Sequence, residues 1–115
     1  MRREAAERRG RRGERAAAWW LRLKGWRILA QRVRTPLGEV DLVARRFGVT
    51  AFVEVKTRAS DAELDLAIDR RRLKRVAAAA EILAPRYAGR GAIRIDVILI
   101  APGRLPRHIA NGWHG

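Results

Sequence analysis

The sequence predicts an α/β domain in which a helix, three strands, a second helix and a further strand build a mixed sheet flanked by helices. Three observations carry that expectation. Gly38 to Arg58, "GEVDLVARRFGVTAFVEVKTR", reads as two β-rich runs parted at Phe47–Gly48. Ser60-Asp-Ala-Glu63 is a capping box, in which the serine oxygen accepts from the amide of Glu63 while Glu63 reaches back, and it opens a long helical pattern. Ala92–Ile100, "AIRIDVILI", is an apolar run whose continuity suits a buried strand. A strand that follows a helix after a hairpin needs a crossover, so one strand pair is expected to be parallel.

Taken in order, residues 1–10, "MRREAAERRG", lack an apolar stripe and are expected as a basic N-terminal arm or frayed helix ahead of a single domain over residues 11–115. From Arg11 to Lys24 the pattern is helical, and Gly25 suits a left-handed cap just past it. "WRILAQRVR", Trp26–Arg34, is a strand candidate, and "TPLG" is a turn with proline at its first central position. The second helix is expected to run to about Pro85, with Leu64, Ile68, Val76, Ala80 and Leu83 facing inward. Its acids come first and Arg70 to Arg75 follow, which reads as a self-paired, solvated face. "RHIANGWHG" is a candidate for a short edge element.

Composition narrows the function. There is no cysteine, so neither a disulfide framework nor a thiolate metal site is open to the chain. No apolar run approaches membrane-spanning length, and the short patch Ala16–Leu21 is followed by Arg22 and Lys24, so a cytoplasmic protein is expected, with no membrane partner. The net charge is +14, and residues 1–34 hold twelve of the basic residues against three glutamates. A segregated basic surface fits a phosphate backbone, whose condensed counterions are released on binding. Nucleic acid is therefore the expected partner, with Arg11, Arg12, Arg15 and Arg58 as candidate contacts. Acidic lipid and ribosomal RNA are the nonspecific alternatives.

Glu39, Asp41, Glu54 and Lys56 need an explanation, because acids and lysine are depleted in strands. A two-residue loop at Phe47–Gly48, closed by Arg46 and Val49, or a longer loop in the same register because Phe47 suits positive φ poorly, sets Asp41 opposite Glu54 and Glu39 opposite Lys56. The same register places Val40, Leu42, Val53 and Val55 together on the reverse face. Opposed like charges destabilise a strand pair, and a divalent cation between Asp41 and Glu54 converts that repulsion into ligation. Few carboxylates completed by water and phosphate suit Mg²⁺ better than zinc. Lys56, two residues from Glu54, emerges on the same face and is placed to orient water or offset phosphate charge. The alternative is a surface salt bridge between Glu39 and Lys56, with Asp41 and Glu54 turned to solvent.

Asp41 followed by Glu54-Val-Lys56 resembles the PD-(D/E)XK nuclease superfamily, whose core runs αβββαβ. More narrowly, "GRRGE", "GWRIL", "GEVDLVA", "FVEVKTR", "RIDVILI" and "IANGW" look like the YraN family of small bacterial proteins. The arrangement is similar to that of archaeal Holliday-junction resolvases. The resemblance implies a restriction-endonuclease-like fold and a Mg²⁺-dependent phosphodiesterase, Mn²⁺ being a substitute, that acts on structured or branched DNA. It implies that Asp41, Glu54 and the Val55 carbonyl bind the metal, that Lys56 is the catalytic lysine and that Glu14 is a helix glutamate approaching the site. A homodimer is an option by analogy with the resolvases alone. Three positions depart from the pattern: Val40 in place of proline, Arg32 in place of asparagine and Arg72 in place of lysine. Two other classes stay open, a non-catalytic nucleic-acid-binding module that keeps the fold and a basic scaffold for an acidic protein.

Overall fold

The structure, a computed structural model, describes residues 2–57 and 70–111, with side chains for residues 11–57 and 71–111. Helix α1 spans Arg2–Leu23, followed by strands β1 (Arg27–Thr35), β2 (Gly38–Arg46) and β3 (Val49–Thr57). Helix α2 (Arg70–Tyr87), β4 (Ala92–Ile100) and the short β5 (Arg107–Ile109) complete the order. The five strands lie in sequence order in one sheet, in which β3 and β4 are parallel and every other pair is antiparallel. The mixed α/β architecture expected from the sequence is present, with β5 added at the edge beside β4. The capping box, Leu64, Ile68 and Arg58 lie outside the described residues. Within the described residues no helix is long and apolar enough to cross a membrane.

Of the two options for residues 1–10 the backbone takes the helical one, α1 running from Arg2, because residues 2–9 are Arg, Glu and Ala, all good helix formers with no proline among them. Helix α2 ends at Tyr87, close to the expected Pro85. The other local signals act as expected. Gly25 has φ +88°, and the amides of Gly25 and Trp26 donate to the carbonyls of Arg22 and Leu21 at 3.0 and 2.9 Å, a paired Schellman stop for α1. Thr35 Oγ1 accepts from the amides of Leu37 and Gly38, closing the β1–β2 turn.

Alternation along the strands divides the core into two layers. Val43, Phe52, Ile95, Val97 and Leu99 pack against Leu73, Val76, Ala80 and Leu83 of α2. Leu42, Ala44, Ala51, Val53 and Ile98 pack against Ala17, Ala18 and Leu21 of α1. Val40 breaks the pattern. It joins the α2 layer although Leu42, two residues on, belongs to the α1 layer. The expectation that both share one face is corrected here, and the reason lies in the neighbouring strand. Arg32 has φ +53° and makes no rung, while the ladder resumes at Val33↔Val40. The two strands are thus re-aimed together at Arg32 and Asp41.

Gly38 sits where the β1–β2 turn meets α2, and a Cβ there would lie 2.8 Å from the Arg75 carbonyl oxygen. Gly38→Ala is expected to cost about 1–3 kcal/mol through this overlap, read as a lowered midpoint in urea unfolding.

Candidate active site

The β2–β3 ladder runs from Arg46↔Val49 to Leu42↔Val53, in the register set by the two-residue loop, and stops there. Asp41 and Glu54 lie just past the last rung, so they face a gap rather than forming a cross-strand pair. Asp41 Oδ2 accepts a hydrogen bond from the Val55 N–H at 2.8 Å. A side chain thereby does for β3 what a backbone carbonyl does further along the ladder.

Glu54 and Lys56 share the α2-facing side with Phe52, and their side chains are only 3 % and 4 % exposed. Lys56 Nζ lies 3.2 Å from Glu54 Oε1, and a guanidinium nitrogen of Arg72 lies 3.0 Å from the same oxygen. These are charge contacts at poor angles, and the buried Oε1 receives no directed hydrogen bond. Glu39 reaches instead toward Arg34 at 3.7 Å, with the Arg34 side chain largely in water and that of Glu39 about half so. Lys56 is therefore buried against Glu54 rather than held in an exposed rung with Glu39.

Asp41 has its pKa pushed up to about 7 by burial first and by the Glu54 charge second, while the Val55 amide pulls the other way. Glu14 and Glu39 add smaller repulsions. Glu14 comes from α1, which approaches closely at Gly13, where a Cβ would collide with Thr57 Oγ1. Its Oε2 accepts from Arg32 Nε at 2.6 Å. Among the described residues no three Asp, Glu or His side chains gather as a ready metal cage.

Two clefts approach this acidic centre. One of about 330 Å³ is lined by Gly38, Glu39, Glu54, Arg72, Arg75 and Val76, on the α2 side. The other, of about 270 Å³, is lined by Arg11, Glu14, Arg15, Gln31 and Arg32. The expected site residues thus stand as follows. Asp41, Glu54, Val55 and Lys56 are brought to one gap, and Glu14 is near enough to act on Asp41. Arg11 and Arg15 line the Glu14 cleft, and Arg12 is exposed on α1. Arg72 and Arg75 were not among the expected site residues, while Arg32 belongs to the basic first third expected to meet nucleic acid and lines the Glu14 cleft. The Arg70–Arg75 run hides this because its spacing suits pairing within the helix, whereas Arg72 reaches across to β3.

A second polar cluster lies on the α1 side of the sheet. Asp96 is fully buried and accepts from Arg94 at 2.9 and 2.7 Å and from the Asn111 amide at 2.8 Å, with His108 Nε2 at 2.7 Å. Arg94 and Asp96 are two residues apart on β4, a spacing that puts them on one face of the strand. The His108 contact was not legible from spacing, because the two residues meet only when β5 folds back on β4.

The molecule is thus a small basic α/β protein whose sheet opens around two carboxylates and a buried lysine. Residues 13–100 match the uncharacterised protein family UPF0102. The chain is 67% identical over 114 residues to UPF0102 proteins of Sphingopyxis alaskensis and Erythrobacter litoralis, covering 98% of each chain. It is 50% identical over 111 residues to one from a Caulobacter species, covering 95% of this chain and 80% of the relative. The protein belongs to the UPF0102 family.

Proposed function

We propose that this protein is a metal-dependent nuclease of the PD-(D/E)XK, restriction-endonuclease-like type, hydrolysing phosphodiester bonds in structured or branched DNA in the cytoplasm. The observation that carries the reading is the gap beyond the Leu42–Val53 rung, which Asp41 and Glu54 flank with Lys56 buried beside Glu54.

The residues suit a hard divalent cation. Asp41 and Glu54 are oxygen donors on adjacent strands, their charges repel, and Glu54 Oε1 is buried without a directed hydrogen bond. A strand residue sends its N–H and C=O to the same side, so the Val55 carbonyl shares the gap into which its amide points. Held by these three groups, Mg²⁺ or Mn²⁺ would polarise the phosphate and acidify a bound water.

The chain's own residues do the remainder. Hydrolysis joins a water oxygen to phosphorus and breaks the bond to the leaving sugar oxygen; the water gives up a proton and the leaving group gains one. Lys56 is placed to offset the charge that grows on the phosphate, and Arg72 brings a second cation to the same oxygen of Glu54. Arg75, on the wall of the cleft, is suited to a neighbouring phosphate.

The test is a panel of duplex, single-stranded, flap and junction DNA and RNA, run with Mg²⁺, with Mn²⁺ and with chelator. Cleavage of a structured DNA is expected only with metal, falling roughly a hundredfold to a thousandfold in Lys56→Met. One observation favours a second reading, a binding module without catalysis: the charges of Lys56 and Arg72 offset that of Glu54 with no metal ion required. Tight, salt-sensitive binding across the whole panel with no cut strand would establish that reading instead.

A further inference from the structure

The loop that joins β2 to β3 carries a cost that burial of its side chains does not repay. Phe47 and Gly48 have φ +50° and +76° between the paired residues Arg46 and Val49, the geometry of a type I′ turn. Asn, Asp or Gly suits the first of these positions, and a bulky aromatic there is strained. Phe47 recovers nothing by burial, because it is 92 % exposed.

Its surroundings are basic. The Arg46 guanidinium lies 5.5 Å from the Phe47 ring centre, and Arg46 is itself fixed by the Lys24 carbonyl at 2.8 Å and stacked 4.6 Å from Trp26. Arg27 and Arg45 form an exposed rung one step further down. Gly91, next to the exposed Arg90, packs on the Gly48 carbonyl. Glu39 and Glu54 sit toward the opposite ends of these strands. Exposed Leu23 and Ile93 lie at the same end of the sheet, but the residues next to the ring are arginines, which a membrane core or an apolar protein groove would leave without partners. A nucleic acid supplies both missing halves, a base face for the ring and phosphates for the guanidinium groups.

We propose that the hairpin tip is a second nucleic-acid contact, in which Phe47 stacks on an unpaired base while Arg27, Arg45 and Arg46 hold the flanking phosphates. An unpaired base is specified because paired bases already have both faces covered. This deepens the nucleic-acid reading above and rests on it, through binding rather than cleavage. Phe47 lies six residues along β2 from Asp41, about 20 Å at ~3.3 Å per residue. With ~3.4 Å per stacked nucleotide, the tip meets the strand about six nucleotides from a phosphate held at the gap.

The experiment uses the full chain in chelator, so that no cleavage occurs, and a duplex with a single-stranded tail containing 2-aminopurine. The wild type is expected to bind this probe and quench the 2-aminopurine. Phe47→Asn is expected to weaken binding about tenfold and abolish the quenching, while its melting temperature rises by about 5 °C as the turn relaxes. Phe47→Trp is expected to keep both binding and quenching. Unchanged affinity and quenching in Phe47→Asn, or a fall in its melting temperature, would overturn the proposal. If the wild type cleaves DNA but Phe47→Asn binds normally, the tip contact fails and the nuclease reading stands. If the wild type binds without ever cleaving and Phe47→Asn loses that binding, the reverse holds.

Discussion

Asp41→Asn is expected to abolish cleavage and, in metal-free buffer near pH 8, to melt at a higher temperature than the wild type. The carboxyl titrates at about 7 in the folded chain against an ordinary value of 3.8, first because it is buried and second because Glu54 faces it. The folded state therefore holds the proton more tightly than the unfolded state. Stability contributed by this group is full below pH ~4, declines as pH rises toward 7 and is absent above it. Asparagine removes the charge but keeps an oxygen that can accept from the Val55 amide, so the strand contact survives. A rise of roughly 5 °C is expected at pH 8, shrinking toward zero near pH 4. Mg²⁺ should lift the wild type and leave the variant unmoved, because only the wild type offers both carboxylates. Calorimetry at the two pH values, with and without Mg²⁺, checks all three results, and a variant less stable than the wild type at pH 8 would contradict them.

Asp96→Ala is expected to have the largest effect on stability, a loss of about 3–5 kcal/mol. Burial pushes the Asp96 carboxyl up, but the contacts from His108, Arg94 and the Asn111 amide outweigh burial and hold it at about 2. Truncation leaves the Arg94 guanidinium and the Asn111 amide without their acceptor and removes the tie between β4 and β5. Because the folded value is depressed, this group's stabilisation is complete above pH ~4 and is lost as pH falls toward 2. Acid titration followed by circular dichroism should show a wild-type stability loss in that window which Asp96→Ala lacks. Hydrogen exchange should show early opening of Arg107–Ile109 in the variant.

The parts of the molecule that local chemistry determines were legible in the sequence. Phe47–Gly48 marked the connection between two strands, and the register read from it is the one the ladder keeps from Arg46↔Val49 to Leu42↔Val53, with the length of the loop left open by a phenylalanine at its first position. Gly25 marked the end of α1, and the apolar run Ala92–Ile100 marked the strand beside β3. The re-aiming at Asp41 was not legible, because it depends on a left-handed Arg32, a conformation that arginine does not advertise. Arg72 against Glu54 and His108 against Asp96 were hidden for a related reason. Each joins elements whose approach is decided by packing of the whole sheet rather than by residues nearby in the chain.

Neighbouring strands ordinarily keep their spacing through main-chain groups, which no change of pH disturbs. At Val55 that duty falls to a carboxylate, so the width of the fork between β2 and β3 answers to a single titrating group. Whatever alters the charge on Asp41 is felt directly by the backbone of the opposite strand.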